Sequence, residues 1–195
     1  STDEAVVAWN DPGIQDFHNM NWSASNPMLT GLYNRSFYVI TLTNEFIRES
    51  ADSKLSDRGI SGADADAIRT MRAEARFVRA YQYWVLMDLF GNPGFVTDTT
   101  AIGAGILPNQ ISRASLYLYI EKELQELETI LPAAKSNQYG RADRAAAQAL
   151  LARMYLNAGV YTGTAKWAEA QTYAKKVIDG GYSLIGSYPD LMLAD

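Results

Sequence analysis

Two short clusters of aromatic and polar residues near the start of the chain are the best candidates for chemistry with a ligand. A tryptophan offers a flat apolar face to the C–H groups of a sugar ring, and neighbouring amides and carboxylates can hydrogen-bond to the sugar hydroxyls. Each cluster supplies both parts around one tryptophan. The candidate ligand-binding residues are Trp9, Asn10, Asp11, Asn21, Trp22 and Asn26. They predict a sugar-binding surface.

Trp9 and Trp22 also have a second interpretation. A tryptophan that precedes a helix often packs beneath it as a core residue. The sequence alone leaves both interpretations open. Exposed rings would favour ligand binding, whereas rings packed flat into the helices would favour a helical repeat scaffold that binds peptide or protein partners in a groove.

Catalytic chemistry finds little support in the residue types. His18 is the only histidine and there is no cysteine, so a histidine-based triad, a histidine-rich metal cluster and a cysteine nucleophile are excluded within these residues. Gly103 and Gly105 lack the preceding strand of a phosphate-binding loop, and nothing selects a carboxylate pair for glycoside hydrolysis. We expect a solvated His18, and no catalytic residue, metal or cofactor.

The other charged residues are interpreted as structural. Buried charges need partners, so arginines beside apolar helix faces are predicted to form ion pairs. These arginines are Arg72, Arg76, Arg79, Arg141 and Arg153. Four glutamates are predicted to form a solvated helix face: Glu121, Glu123, Glu126 and Glu128. Asn44 is predicted to be a hydrogen-bonded polar residue in a helix interface.

The overall composition is that of a globular chain. Of the 195 residues, 48% are hydrophobic and 20% are charged, which excludes a disordered chain. The net charge of -5 argues against nucleic-acid binding. No apolar run reaches the length of a membrane span. The chain has no signal segment and no initial methionine, so we expect it to be a piece of a longer protein.

Hydrophobic periodicity predicts five helices that position these residues. They span residues 27–49, 66–90, 112–131, 140–157 and 164–179. Asn26, Ser112 and Thr164 are the predicted caps, with Pro27 at a first helical position. The segments before 27, from 51 to 65 and from 91 to 110 are predicted to be irregular or connecting, and the tail from 182 to 195 extended or turn-like.

The helix order predicts an all-α fold. The helix over 66–90 is apolar nearly all round, which is typical of a central helix covered by others. Trp84 and Trp167 fall at core spacing. Helices 66–90 with 112–131, and 141–158 with 164–179, form pairs of the tetratricopeptide type, although unequal in length and joined by long turns. We therefore predict irregular tetratricopeptide-like helix pairs with long loops.

Two motifs on these helices resemble the SusD/RagB family. The first is Glu-Ala-Arg-Phe-Val-Arg-Ala-Tyr over 74–81, followed by Phe-Gly-Asn-Pro-Gly over 90–94, with the proline one residue earlier than the family has it. The second is Gly-Arg-Ala over 140–142, which leads to Ala-Leu-Leu-Ala-Arg-Met-Tyr-Leu over 149–156. Residues 1–7 and the helix over 32–44 are similar to early family segments, so the resemblance covers nearly the whole chain.

This resemblance implies a non-enzymatic SusD-like helical domain over residues 1–195, forming the N-terminal half of a longer chain. Family members are lipid-anchored on the outer face of Bacteroidota outer membranes. They cap a SusC-type TonB-dependent barrel transporter and deliver oligosaccharides or, in some members, peptides. N-terminal aromatic residues of such proteins contribute to the glycan platform. The lipid anchor would lie outside the sequence shown.

Overall fold

The computed structural model describes residues 6–101, 103 and 107–192. The described residues form eight α-helices and a short 3-10 helix, Tyr188–Met192. The α-helices are α1 (Ile14–His18), α2 (Pro27–Glu49), α3 (Asp52–Asp57), α4 (Gly62–Phe90), α5 (Arg113–Ile130), α6 (Arg144–Leu156), α7 (Ala158–Thr162) and α8 (Trp167–Ile178). The predicted all-α class is confirmed.

The long helices stack in chain order. α2 packs against α4, α4 against α5, α5 against α6, and α6 against α8. The pairs α4–α5 and α6–α8 are those predicted from the sequence, and the contact between α5 and α6 joins them. A continuous apolar core therefore runs through the stack from α2 to α8.

The helix α4 is the centre of this core, as its apolar sequence predicts. It is covered by α2 on one side and α5 on the other. Its buried face includes Tyr83, Trp84 and Met87, and α5 contributes Leu116 and Leu124 opposite. Fully burying one such aliphatic side chain stabilises the fold by roughly 1.5–3 kcal/mol.

Polar caps explain where several helices begin. The Asn26 side chain accepts a hydrogen bond from the Met28 amide at 2.9 Å, and the Ser112 hydroxyl accepts one from the Ser115 amide at 3.1 Å. Both predicted caps are confirmed. Asp143 caps α6, so this helix begins later than the predicted residue 140.

Other boundaries differ from the prediction for local reasons. α4 begins at Gly62 and α8 at Trp167, so Thr164 is not the cap of α8. The segments predicted to be irregular contain the short helices α1 and α3, and the tail contains a 3-10 turn. Helices of five or six residues are too short to show a hydrophobic period, which explains why the sequence pattern missed them.

A buried guanidinium joins three elements of the core. Arg79 Nη1 donates to Asn44 Oδ1 of α2 at 2.8 Å and to Asp98 Oδ1 at 2.5 Å, and Nη2 donates to Glu123 Oε2 of α5 at 3.1 Å. Arg76 also pairs with Glu123, at 2.7 Å. The predicted ion pairs of both arginines and the hydrogen-bonded role of Asn44 are confirmed.

Glu123 is held ionised by this network. Burial by itself raises the pKa of its carboxyl, but hydrogen bonds and charge from Arg76 and Arg79 outweigh burial, and the pKa lies below its ordinary value. The carboxylate is therefore charged at neutral pH and keeps Arg79 neutralised.

The glutamates of α5 do not form the predicted solvated face. Among Glu121, Glu123, Glu126 and Glu128, only Glu126 exposes a large part of its side chain. The partners are Arg76 and Arg79 for Glu123, Lys166 for Glu121 and Lys176 for Glu128. α5 lies inside the stack, so its acidic residues meet basic residues of neighbouring segments, which the periodicity of one helix does not reveal.

The remaining arginines follow the prediction with one exception. Arg72 pairs with Asp52, and Arg141 pairs with Glu74 at 2.9 Å. Among the described residues the prediction is wrong for Arg153: it has no carboxylate partner there, and its guanidinium lies 4.9 Å from the centre of the Trp84 ring. A cation over an aromatic face is a favourable contact that needs no carboxylate.

The two tryptophans predicted to be core residues have different environments. Trp84 is buried as predicted, but Trp167 exposes 71% of its surface. Trp167 lies at the start of α8, the last helix of the described stack, and no described element covers its outer face. The core prediction for Trp167 is therefore wrong within the described residues.

Arg79→Met should be strongly destabilising. The substitution removes the donor to Asn44 Oδ1 and Asp98 and one of the two arginine partners of Glu123. Breaking a buried pair from one side costs about 3–5 kcal/mol. Urea unfolding monitored by circular dichroism measures the loss. Arg69→Met on the same helix is the control, because Arg69 makes only exposed pairs with Asp52 and Asp66 and should change the free energy of unfolding little. Equal losses for both variants would contradict the structural role of Arg79.

Candidate ligand-binding site

Three consecutive residues of α1 hold the N-terminal aromatic region in place. The first, Gln15, donates from Nε2 to the carbonyl oxygen of Trp9 at 3.0 Å and to that of Val7 at 3.3 Å. These bonds tie the non-helical backbone before α1 to the helix. The position of Trp9 is therefore set by a side chain six residues later in the chain.

The second residue, Asp16, connects α1 to α2 through Asn26. Asn26 Nδ2 donates to Asp16 Oδ2 at 2.9 Å and to the Gly13 carbonyl at 2.8 Å, while Oδ1 caps α2. Asn26 is buried, and both ends of its amide are used within the protein. The structure thus gives Asn26 a positioning role, whereas the sequence placed it among the ligand contacts.

Gly13 makes the close approach of these segments possible. Its φ is 84°, in the left-handed region that glycine adopts at low cost. A Cβ at this position would lie 2.7 Å from Asn26 Nδ2 and 2.8 Å from the Pro27 ring. Another residue there would push α1 away from the start of α2.

The third residue, Phe17, supports Trp22. The two ring centres lie 5.6 Å apart at an interplanar angle of 35°, a tilted arrangement within the range of favourable aromatic pairs. Trp22 still exposes 48% of its surface and Trp9 exposes 58%. Neither ring is packed flat beneath the helices.

The polar candidates lie beside the exposed rings. The side chains of Asn10, Asp11 and Asn21 are exposed, and none of them hydrogen-bonds to another described residue. The first cluster precedes α1 and the second follows it, and five residues of helix rise about 7.5 Å. The two clusters thus flank a short, fixed spacer.

Sequence reasoning missed Gly13, Gln15, Asp16 and Phe17. Of these four residues, only Gly13 has a local signal in the sequence: a glycine between the first cluster and α1 is typical of a tight turn. The other three residues act through contacts with residues up to ten positions away. Hydrophobic periodicity does not predict such contacts. His18, expected in a loop, lies instead in the last turn of α1 and is partly buried.

Two other features of the described residues bear on possible chemistry. No group of histidine and acidic residues among the described positions could hold a metal ion. Tyr83 is fully buried: burial raises its pKa to about 12, and its hydroxyl donates to the Val96 carbonyl at 2.6 Å. Such a phenol stays protonated at neutral pH.

Comparison with known proteins identifies the family. Residues 7–156 match the SusD-like family described as "Starch-binding associating with outer membrane". This chain belongs to the SusD-like family. The resemblance carried by the two helix motifs is thereby confirmed.

The similarity to one characterised member extends over the whole chain. The starch-binding protein SusD of Bacteroides thetaiotaomicron is 38% identical over 195 residues, which is 100% of this chain and 33% of SusD. The chain thus spans about a third of the length of this curated relative.

Solved structures of SusD-like proteins share the fold. A laminarin-binding SusD-like protein superposes with a TM-score of 0.76 at 24% identity, over 92% of this chain and 37% of that protein. A protein crystallised with a xylogluco-oligosaccharide superposes with a TM-score of 0.77 at 23% identity. The match covers 95% of this chain and 36% of that protein. At these identities the likeness establishes the helix-pair fold alone.

The two family motifs meet in the structure. Arg141 of the second motif donates from Nε to Glu74 Oε2 of the first at 3.0 Å, and Asn137 Nδ2 donates to Glu74 Oε1 at 2.8 Å. The first motif also supplies Arg76 and Arg79 of the buried network. The motifs therefore support the helix stack, and none of their hydrogen bonds among the described residues reaches the aromatic clusters. Residues 1–5 of the N-terminal family segment lie outside the described residues.

Asn26→Ala should loosen the candidate site as well as destabilise the protein. It removes a helix cap, which costs about 1 kcal/mol, and releases Gly13 and Asp16. We expect faster amide hydrogen exchange across residues 9–22, measured by mass spectrometry. Ser112→Ala removes a comparable cap at the start of α5, which makes no hydrogen bond to residues 9–22 among the described residues, and should leave exchange at 9–22 unchanged. Unaltered exchange at 9–22 in Asn26→Ala would contradict the positioning role.

Proposed function

We propose that this chain is the N-terminal portion of a non-enzymatic cell-surface protein that binds oligosaccharides and passes them to a SusC-type TonB-dependent transporter. The observation that carries the proposal is the exposure of two tryptophans, Trp9 before α1 and Trp22 after it, in a chain of the SusD-like family. The names of similar proteins support it, because they bind starch or laminarin or were crystallised with a xylogluco-oligosaccharide.

The binding mechanism follows from the geometry of the two clusters. Sugar rings stack on the exposed faces of Trp9 and Trp22, and Asn10, Asp11 and Asn21 hydrogen-bond to the hydroxyls. No bond of the sugar is made or broken. Because Gln15 and Phe17 fix both clusters before binding, little conformational entropy is lost when the ligand docks.

The partner and the location come from the family. In our proposal, the protein lies on the outer face of the outer membrane, with a lipid anchor outside residues 1–195. The polar helix faces and the connection over 91–110 are the candidate surfaces for the barrel.

None of the described helices combines the length and the apolar character that crossing a bilayer demands.

A helical scaffold for peptides or proteins, including a SusD homologue that imports peptides, is the alternative. That interpretation gains if the N-terminal rings are covered by helices. Their exposure favours the oligosaccharide, since polar atoms suited to hydroxyls accompany both rings.

Trp9→Ala and Trp22→Ala should each weaken oligosaccharide binding about ten-fold, the equivalent of 1.4 kcal/mol, because each removes a stacking face. Titration calorimetry with maltooligosaccharides, laminarin oligosaccharides and xylogluco-oligosaccharides measures the affinity and identifies the class of ligand. Trp167→Ala is the matched control, an exposed tryptophan on α8 that should leave affinity unchanged. Unchanged affinity in Trp22→Ala would show that the second cluster does not bind the oligosaccharide. Turnover of any sugar by the pure protein would contradict a function limited to binding.

A gentle detergent pull-down of the native protein from outer membranes tests the proposed partner. We expect a TonB-dependent barrel to co-purify, identified by mass spectrometry. Recovery of the protein alone, or with unrelated soluble proteins, would contradict the transporter partnership and favour the scaffold alternative.

A further inference from the structure

The turn that ends α1 holds a methionine in a backbone conformation that favours glycine. Met20 has a φ of 53°, in the left-handed region where a Cβ crowds the following carbonyl oxygen. The Met20 amide donates to the Phe17 carbonyl at 3.3 Å, and the Asn21 amide donates to the Asp16 carbonyl at 2.9 Å. These two bonds form a Schellman motif, in which the left-handed residue is usually glycine.

The end of α3 has the same motif with glycine in the left-handed position. The Gly59 amide donates to the Ser56 carbonyl and the Ile60 amide to the Leu55 carbonyl, each at 2.9 Å. The φ of Gly59 is 68°, and a Cβ there would meet no atom within 4 Å. The backbone conformation therefore explains this glycine, whereas the turn after α1 has the same conformation at a residue that adopts it only at a cost.

Packing does not explain the methionine. Met20 exposes 65% of its surface, which is more than Trp9 or Trp22 exposes. Lys135 is the other non-glycine residue with a left-handed backbone among the described positions, and its Nζ donates to the Gly181 carbonyl at 2.9 Å. The Lys135 side chain thus contributes a contact to the fold, whereas the Met20 side chain is mostly exposed to solvent.

We propose that Met20 is a ligand contact, whose thioether side chain packs against the C–H face of the sugar ring next to the one that stacks on Trp22. The inference rests on the proposed function and adds a residue to that site. Met20 lies two residues before Trp22, so their Cα atoms are no more than about 7 Å apart. Residues held in costly backbone conformations cluster at binding sites. A methionine side chain is apolar, polarizable and flexible, so it can adapt to a sugar ring.

Substitutions at Met20 should separate oligosaccharide affinity from local stability. Met20→Gly removes both the contact and the backbone strain. We expect its affinity to be about five-fold weaker and amide hydrogen exchange across residues 14–22 to be about five-fold slower. Met20→Ala removes the side chain but keeps the strain, so its affinity should fall without slower exchange. Met20→Leu keeps an apolar side chain and should restore most of the affinity.

The full-length protein is used for both measurements. Titration calorimetry with maltooligosaccharides, laminarin oligosaccharides and xylogluco-oligosaccharides gives the affinity, and mass spectrometry gives the exchange rates. Gly59→Met is the matched control, because it places a methionine in the same motif at the end of α3. It should accelerate exchange across residues 52–60 and leave oligosaccharide affinity unchanged.

Oxidation by hydrogen peroxide tests the contact without a substitution. Peroxide converts an exposed methionine to the sulfoxide, and mass spectrometry of peptides gives the rate at each methionine. A saturating concentration of the oligosaccharide that binds should slow the oxidation of Met20. Met71 on α4 exposes 42% of its surface, lies outside the candidate site and should be oxidised at the same rate with and without the sugar.

Three results would overturn the inference. Unchanged affinity in Met20→Gly and Met20→Ala, with affinity lost in Trp22→Ala, would uphold the proposed function and exclude Met20 from the site. Weaker affinity in Met20→Gly together with faster exchange across 14–22 would show that the methionine supports the turn and does not contact the sugar. Absence of binding to all three classes of oligosaccharide by the parent protein would overturn the proposed function and this inference with it.

Discussion

The buried charge of Arg79 is the constraint on which the helix stack depends. A guanidinium held away from water must be neutralised and hydrogen-bonded. Arg79 meets this need with Asn44 of α2, Asp98 of the following connection and Glu123 of α5. Because these partners come from three separate segments, the alignment of α2 and α5 along α4 is specified more sharply than apolar contacts alone would allow.

This constraint extends to the ligand site through α2. The connection after α4 is held beside α2 by Asn44, whose Nδ2 donates to the Val96 carbonyl at 3.3 Å, and by Arg48, whose Nε donates to the Asp98 carbonyl at 3.0 Å. Because α2 is held in place, its first turn is also held in place. Asn26, the cap of that turn, hydrogen-bonds Gly13 and Asp16 and so positions α1. α1 in turn presents Trp9 and Trp22. The site is thus built at the end of a chain of contacts that starts in the core.

The parts of the structure that could be predicted from the sequence are those determined by residues close together in the chain. Asn26 and Ser112 cap helices through their own neighbours, and the apolar residues of α4 require burial whatever surrounds them. The predictions were wrong where segments distant in the sequence determine whether a residue is buried. Glu123 looks solvated on its own helix but lies against Arg79, and Trp167 has core spacing although no described helix covers it. For the site, the tryptophans were identifiable by type, but their supports Gln15 and Phe17 were not.

The residues that stabilise the helix stack differ from those of the candidate ligand site. The sequence therefore predicts the fold but not the identity of the ligand. The motifs that identify the family, around Arg79 and Arg141, form ion pairs that join α4 to neighbouring segments, so recognising them establishes the fold. The candidate ligand contacts lie on short irregular segments beside α1, where residues such as Asn10 and Asn21 support no other part of the described structure. Such positions can change without disturbing the stack. The identity of the sugar must therefore be determined at Trp9 and Trp22 themselves.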